Sequence, residues 1–333
     1  MSDHGARIVI TGGAGFLGTA LARRLLACDQ VRIGGSPPRP IGDLVLADLA
    51  VPPADLVGHP TVSVVTGALA NTAPDLADAD LVCHLAGVVS GAAEADFDLG
   101  MATNLDALRL VLERARRTAV APVVVFTSSL AVFGSDPATG PIGDVDDDTM
   151  PRPQSSYGAQ KFIGEQLLAD YTRKGFLRGR SVRLMTVAVR PGKPNAAASS
   201  FISSIIREPL AGTRAQCPVP PDTPIALSSP ARTLDGVLTA ITASDTTWGS
   251  RTAMNLPALT TTPIAMAEAL DRVNGAGTSD LIDWDVDEAV LAIVGNWPAR
   301  FHTPRAQRIG LHADPTFDDV IAQYLAHRQR SQT

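Results

Sequence analysis

Cysteine is scarce in this sequence. Cys28, Cys83 and Cys217 are the three among 333 residues, an odd number at spacings that match no metal-binding pattern. That argues against a disulfide framework or a metal site and fits a reducing compartment, so the cytoplasm is the expected location. Long apolar runs are lacking too. No stretch approaches the ~20 residues needed to cross a bilayer and no apolar signal core precedes the first strand, so no membrane partner is expected. A basic excess is also missing: 28 Lys and Arg face 34 Asp and Glu, for a net charge of −6. That argues against a nucleic-acid partner and favours a small molecule.

What the chain does have is a strand, a glycine turn and a helix in immediate succession. The apolar run Ile8-Val9-Ile10 leads into Thr11-Gly12-Gly13-Ala14-Gly15-Phe16-Leu17-Gly18, which opens an apolar helix. Gly12 permits a tight turn, Gly15 lets backbone approach a pyrophosphate, and Gly18 allows close helix packing, while the helix N-terminus offers unpaired N–H groups to an anion. NAD is the expected cofactor. Asp48, closing the second strand, suits both adenosine ribose hydroxyls and would repel a 2′-phosphate. It lies farther from Gly18 than the usual ~20 residues, and the intervening Gly34-Gly35-Ser36-Pro37-Pro38-Arg39-Pro40 loop accounts for the excess.

A second constellation follows. Ser156-Tyr157-Gly158-Ala159-Gln160-Lys161 places a Tyr and a Lys four apart at the start of a helix, hence on one face. The pair is a weak signal alone, but it follows Val123-Val124-Val125-Phe126-Thr127-Ser128-Ser129, an apolar strand ending in hydroxyls. An alcohol can lose hydride only as its proton leaves, so Tyr157 would serve as base, with Lys161 supplying the charge that favours its phenolate. Ser129 would orient the reacting hydroxyl, with Ser128 the lesser choice.

Strand and helix patterns alternate through the first half, predicting an α/β fold with a doubly wound parallel sheet. The expected elements are strands at 6–10, 43–47, 62–65, 81–85, 123–126 and 182–189 and helices at 16–27, 102–116 and 157–171. Residues 1–190 are read as the cofactor domain and 191–333 as mainly a smaller substrate-binding lobe, with segments after about 220 returning to the sheet. The acidic run Asp144, Asp146, Asp147 and Asp148 reads as a solvated loop, and His84 as structural.

These elements together resemble the extended short-chain dehydrogenase/reductases, the NAD-dependent epimerase/dehydratase family, over essentially the whole chain. The resemblance implies a Rossmann-type fold, a homodimer through the helices starting near Ala102 and Tyr157, and a catalytic group of Ser129, Tyr157, Lys161 and Asn104. Val132-Phe133-Gly134 sets the catalytic hydroxyl at Ser129. Cofactor contacts would come from Gly12, Gly15, Phe16, Leu17, Gly18, Asp48, Leu85, Ala86, Gly87, Asn104, Tyr157, Lys161 and Pro191.

A narrower likeness rests on residues 88–100, 155–161, 189–201 and 205–212, and points within the family to enzymes that oxidise a four-carbon aldonate at C2. Its substrate contacts would be Ser90, Ser129, Tyr157, Asn195, Ser199, Ser200 and Arg207. Arg207 is the first choice for the carboxylate, with Lys193 and Arg232 in reserve. Ala68 and Met185 depart from the family pattern. Leu130-Ala131 stands where family dehydratases carry Asp-Glu, which disfavours dehydration. The rival readings are a nucleotide-sugar epimerase and a non-catalytic NAD-sensing protein.

Overall fold

The computed structural model describes residues 5–330 except 73, 75, 137 and 193–195. Asn195 and Lys193 therefore lie outside the described residues. The strands are β1 (Ala6–Thr11), β2 (Ile41–Asp48), β3 (Val62–Thr66), β4 (Leu81–His84), β5 (Val123–Ser129), β6 (Arg178–Leu184), β7 (Thr186–Val187), β8 (Ala215–Cys217), β9 (Ile225–Ser228), β10 (Met254–Asn255), β11 (Leu259–Thr261) and β12 (Ile282–Trp284). Seven of them form one sheet in the order β10-β6-β5-β4-β1-β2-β3, parallel at every pairing. Strand order reverses at β1, which opens a crevice at the carboxyl ends of β1 and β4.

Both faces of this sheet are covered, which suits the apolar runs of β1, β4 and the start of β5. Ile8 and Ile10 of β1 pack with Leu21 and Leu25 of the helix Phe16–Leu26. Val9, pointing the opposite way, packs with Leu108, Val111 and Leu112 of the helix Ala107–Ala115 and Leu168 of the helix Ser156–Arg173. The helix Pro230–Thr242 lies on the same face as Phe16–Leu26, contributing Leu234, Val237 and Ile241. The long first crossover is fixed against that helix. Gly34 and Gly35, both at positive φ, donate their backbone N–H to the carbonyls of Ile241 and Thr242.

Two expected elements differ. The sixth strand runs over Arg178–Leu184, not 182–189, and the chain leaves the main sheet at Met185 so that β7 joins β9 and β11 in a separate three-stranded sheet. Arg178 and Arg180 disguise its start. Arg180 is fully buried yet satisfied, donating to Ala240 O and Asp245 Oδ1 and lying over the Trp248 ring. The helix expected at 102–116 begins as a π-helical turn, Met101–Asp106, before continuing as Ala107–Ala115.

The smaller core gathers Phe201, Ile202, Ile205 and Ile206 of the helix Phe201–Arg207 with Ile225, Met266, Leu270, Ile282 and Ile321. Trp297, packed against this core, lines the crevice.

Candidate active site

The crevice is a cleft of about 270 Å³, near the lower end of the range for ligand sites. Its floor is the glycine turn. A Cβ at Gly18 would stand 2.1 Å from the Gly12 carbonyl oxygen, so only glycine lets the helix begin this close to the strand. The helix N-terminus has no side-chain cap, which leaves its first N–H groups for an anion. Asp48 closes β2 beside this turn, its Oδ2 accepting from Ala14 N at 3.0 Å. A missing Cβ also matters at Gly87, where one would lie 2.7 Å from Asn104 Oδ1 and 3.6 Å from Lys161 Nζ. The glycine turn, the open helix end and the carboxylate at the end of β2 fit a dinucleotide.

Ser129 hangs from β5, and Tyr157 and Lys161 from the helix Ser156–Arg173, whose N-terminus is capped by Ser155 Oγ accepting from Gly158 N. Lys161 is buried, donates from Nζ to Thr127 O at 2.9 Å, and lies 4.8 Å from the centre of the Phe126 ring and 5.6 Å from that of Tyr157. Burial brings its pKa down to about 8, with the charge of Glu165 working against that shift. Burial pushes the Tyr157 hydroxyl up to about 12, opposed by a hydrogen bond with Ser129. In the protein alone, then, Tyr157 is protonated at neutral pH, and the phenolate expected from the sequence requires more positive charge than Lys161 provides.

The two serines of β5 are sorted by their neighbours. Ser128 Oγ donates to Glu165 Oε1 at 2.5 Å, whereas Ser129 Oγ accepts locally from Ala131 N and faces Tyr157. Glu165 also receives both arms of Arg183 at 2.9 and 2.7 Å, with every partner buried. Arg183 reaches on to Asn255 of β10, whose Nδ2 donates to Asp146 O. One polar chain therefore runs from β5 to the acidic loop. That loop is otherwise engaged with the C-terminal part, through Asp144 with Arg300 and Asp147 with the backbone of Arg305.

Asn104 is buried behind Gly87. Its Oδ1 accepts from Val88 N at 2.9 Å and its Nδ2 donates to Gln160 Oε1 at 2.8 Å. The π-helical turn carries it inward. His84 is likewise buried, its Nδ1 2.7 Å from Thr11 Oγ1, and burial with the nearby Lys161 charge lowers its pKa to about 3. It is neutral.

The structure brings Gly12, Gly15, Phe16, Leu17, Gly18, Leu85, Gly87, Ser90, Ser129, Tyr157, Lys161 and Ser199 into one cleft. Ala86, Asp48, Asn104 and Pro191 stand beside or behind this lining. Arg207 is not brought in. Its guanidinium donates to the Arg190 carbonyl, Ser204 Oγ and Glu208 Oε1. Ser200 is outside the lining, and Arg232 is a half-buried neighbour of Asp235 that is not among the lining residues either. The cleft cation that sequence reasoning missed is Arg190, which lines the wall with Met185, Thr186, Val187 and Trp297. Glu165 and Gln160 were missed as well, although Tyr157, Gln160, Lys161 and Glu165 share one helix face by spacing.

Comparison with known proteins extends this geometry. D-erythronate dehydrogenase of Cupriavidus necator is 48% identical over 322 residues, 96% of this chain and 97% of its own length. D-erythronate dehydrogenase of Haemophilus influenzae is 40% identical over 326 residues, 96% of this chain and 99% of its own. The crystal structure of the nucleoside-diphosphate-sugar epimerase from Agrobacterium tumefaciens matches with a TM-score of 0.85 and 35% identity, covering 97% of this chain and 94% of that one. The family model itself matches residues 8–223. With its parallel sheet, glycine turn and full-length relatives, the chain belongs to the NAD-dependent epimerase/dehydratase family, and its cofactor is NAD.

Proposed function

We propose that this protein oxidises the C2 hydroxyl of D-erythronate to give 2-oxo-D-erythronate. The observation that carries the reading is the identity of 48% and 40%, over 96% of the chain, to two proteins named for that activity. The cleft supports it. Ser129 is set to hold the substrate hydroxyl next to Tyr157, which takes its proton. Lys161, still charged at neutral pH, stabilises the phenolate and holds the nicotinamide ribose. NAD, when bound, supplies the hydride acceptor and a further positive charge. Asn104 steadies the Gly87-Val88 backbone at the cleft, where it would help hold the bound cofactor.

No Asp or Glu occurs among the described lining residues, which suits oxidation better than dehydration. The same reading assigns residues 1–190 to the cofactor and 191–333 mainly to the substrate, and places the protein in the cytoplasm. It includes a homodimer through the helices near residues 102 and 157, beside which Phe97, Leu99 and Ile163 are exposed.

The test is NADH absorbance on mixing enzyme and NAD with D-erythronate, with D-threonate, L-threonate and a UDP-sugar in parallel. Sustained NADH from D-erythronate is expected. Silence with every aldonate, with the UDP-sugar turned into an epimer, would replace this reading by the second, which the name of the Agrobacterium structure favours.

A further inference from the structure

The charges of the cleft are lopsided. The chain as a whole carries −6, yet among the described lining residues the ionisable side chains besides Tyr157 are two cations, Lys161 and Arg190. Lys161 is tied to the Thr127 carbonyl beside the catalytic tyrosine. Arg190 stands on the opposite wall, just after β7 and half-buried, sharing the cleft with Ser90 and Ser199.

Its backbone is gripped on both sides. Arg190 N donates to Ser203 Oγ at 3.0 Å, and Arg190 O accepts from Arg207 Nη1 at 2.9 Å. Arg207 is in turn held by Glu208 Oε1 at 2.6 Å and Ser204 Oγ at 3.2 Å. Glu208 thus answers the charge of Arg207, behind the wall. Burial first, and then the repulsion of Arg207, weaken the hold of Arg190 on its proton. An anion arriving at Arg190 relieves both. A planar guanidinium suits a carboxylate, which it can meet with two parallel N–H bonds.

We propose that Arg190 binds the substrate carboxylate and that Arg207 with Glu208 is a positioning pair fixing the backbone from which Arg190 reaches into the cleft. This deepens the aldonate reading and rests on it. The site then selects 2-hydroxy carboxylates: the carboxylate on Arg190 holds the adjacent carbinol between Ser129 and Tyr157.

The test is steady-state kinetics on the full chain with Arg190→Met, Arg190→Lys and Glu208→Gln, using D-erythronate and its neutral analogue D-erythronamide. Arg190→Met should raise KM for D-erythronate about 100-fold, the loss of a charge-assisted pair, with calorimetric NAD affinity unchanged. Arg190→Lys should recover part of that loss, since it keeps the charge without the fork. The amide should be a poor substrate for wild type and lose little more in Arg190→Met. Glu208→Gln should raise KM for D-erythronate more than it lowers kcat. A D-erythronate KM within about twofold of wild type in Arg190→Met, or an equal loss on acid and amide, would overturn the proposal while the dehydrogenase reading stands. Wild-type enzyme inert on D-erythronate would overturn that reading and the proposal with it.

Discussion

The two walls of the cleft are built by different rules. The wall assigned to the cofactor is built on one glycine turn and the ends of β1, β2 and β4, and its fit is set by backbone: a single Cβ at Gly18 would sit 2.1 Å from a carbonyl oxygen. The wall assigned to the substrate is collected from Ser90, Arg190, Ser199 and Trp297, and backed by side chains such as Ser203, Arg207 and Glu208 that lie outside the cleft lining. Backbone shape tolerates almost no substitution and leaves a motif. A wall of side chains can be altered one residue at a time while the sheet beneath it is unchanged, which suits a family that keeps one cofactor and varies its substrates.

The contrast can be broken most severely where the walls meet. Tyr157→Phe should lower kcat by about 10²–10⁴, the range for losing a positioned acid–base group, while calorimetry shows NAD binding as in wild type. Turnover near wild type would remove Tyr157 from its role. Glu165→Gln attacks the frame that both walls share. It leaves Arg183 buried without its anion and should cost about 3–5 kcal/mol of stability in urea unfolding, with the midpoint lowered accordingly. An unchanged midpoint would mean that the ion pair is idle. Asp48→Asn touches the cofactor wall alone. It should narrow the preference for NAD over NADP about tenfold, about 1.4 kcal/mol, and leave KM for D-erythronate where it was.

How much could be read beforehand follows the same division. The glycine turn, Tyr157 and Lys161 are legible because their partners are a few residues away, and Tyr157 is one of only 3 tyrosines in the chain. β6 was misplaced because Arg178 and Arg180 read as surface. Nothing near them in sequence shows that Asp245 and the Ala240 carbonyl will receive a buried guanidinium. The sequence favours Arg207, with Lys193 and Arg232 in reserve, and leaves Arg190 unweighed, for a related reason: the spacing does not show that Arg207 is tied to Glu208 and the Arg190 carbonyl while Arg190 lines the cleft. The π-helical turn at Met101–Asp106 has no sequence signature of its own, although it is what buries Asn104.

One feature of the sheet bears on how the molecule is made. Trp248, Met254, Leu256, Ala306 and Leu311 belong to the same apolar cluster as Ile8 and Leu21, and β10 is the edge partner of β6. At about 5–20 residues per second, a ribosome releases the glycine turn roughly 12–50 s before the strand that finishes its sheet. Once β6 has emerged it offers an unpaired edge until β10 follows, and Ile8, Leu21 and Leu44 lack the part of their cover that the late helix Pro230–Thr242 brings. The nucleotide fold of this protein is therefore assembled after synthesis has passed it by, and a nascent chain halted near residue 190 should need a chaperone to remain dispersed.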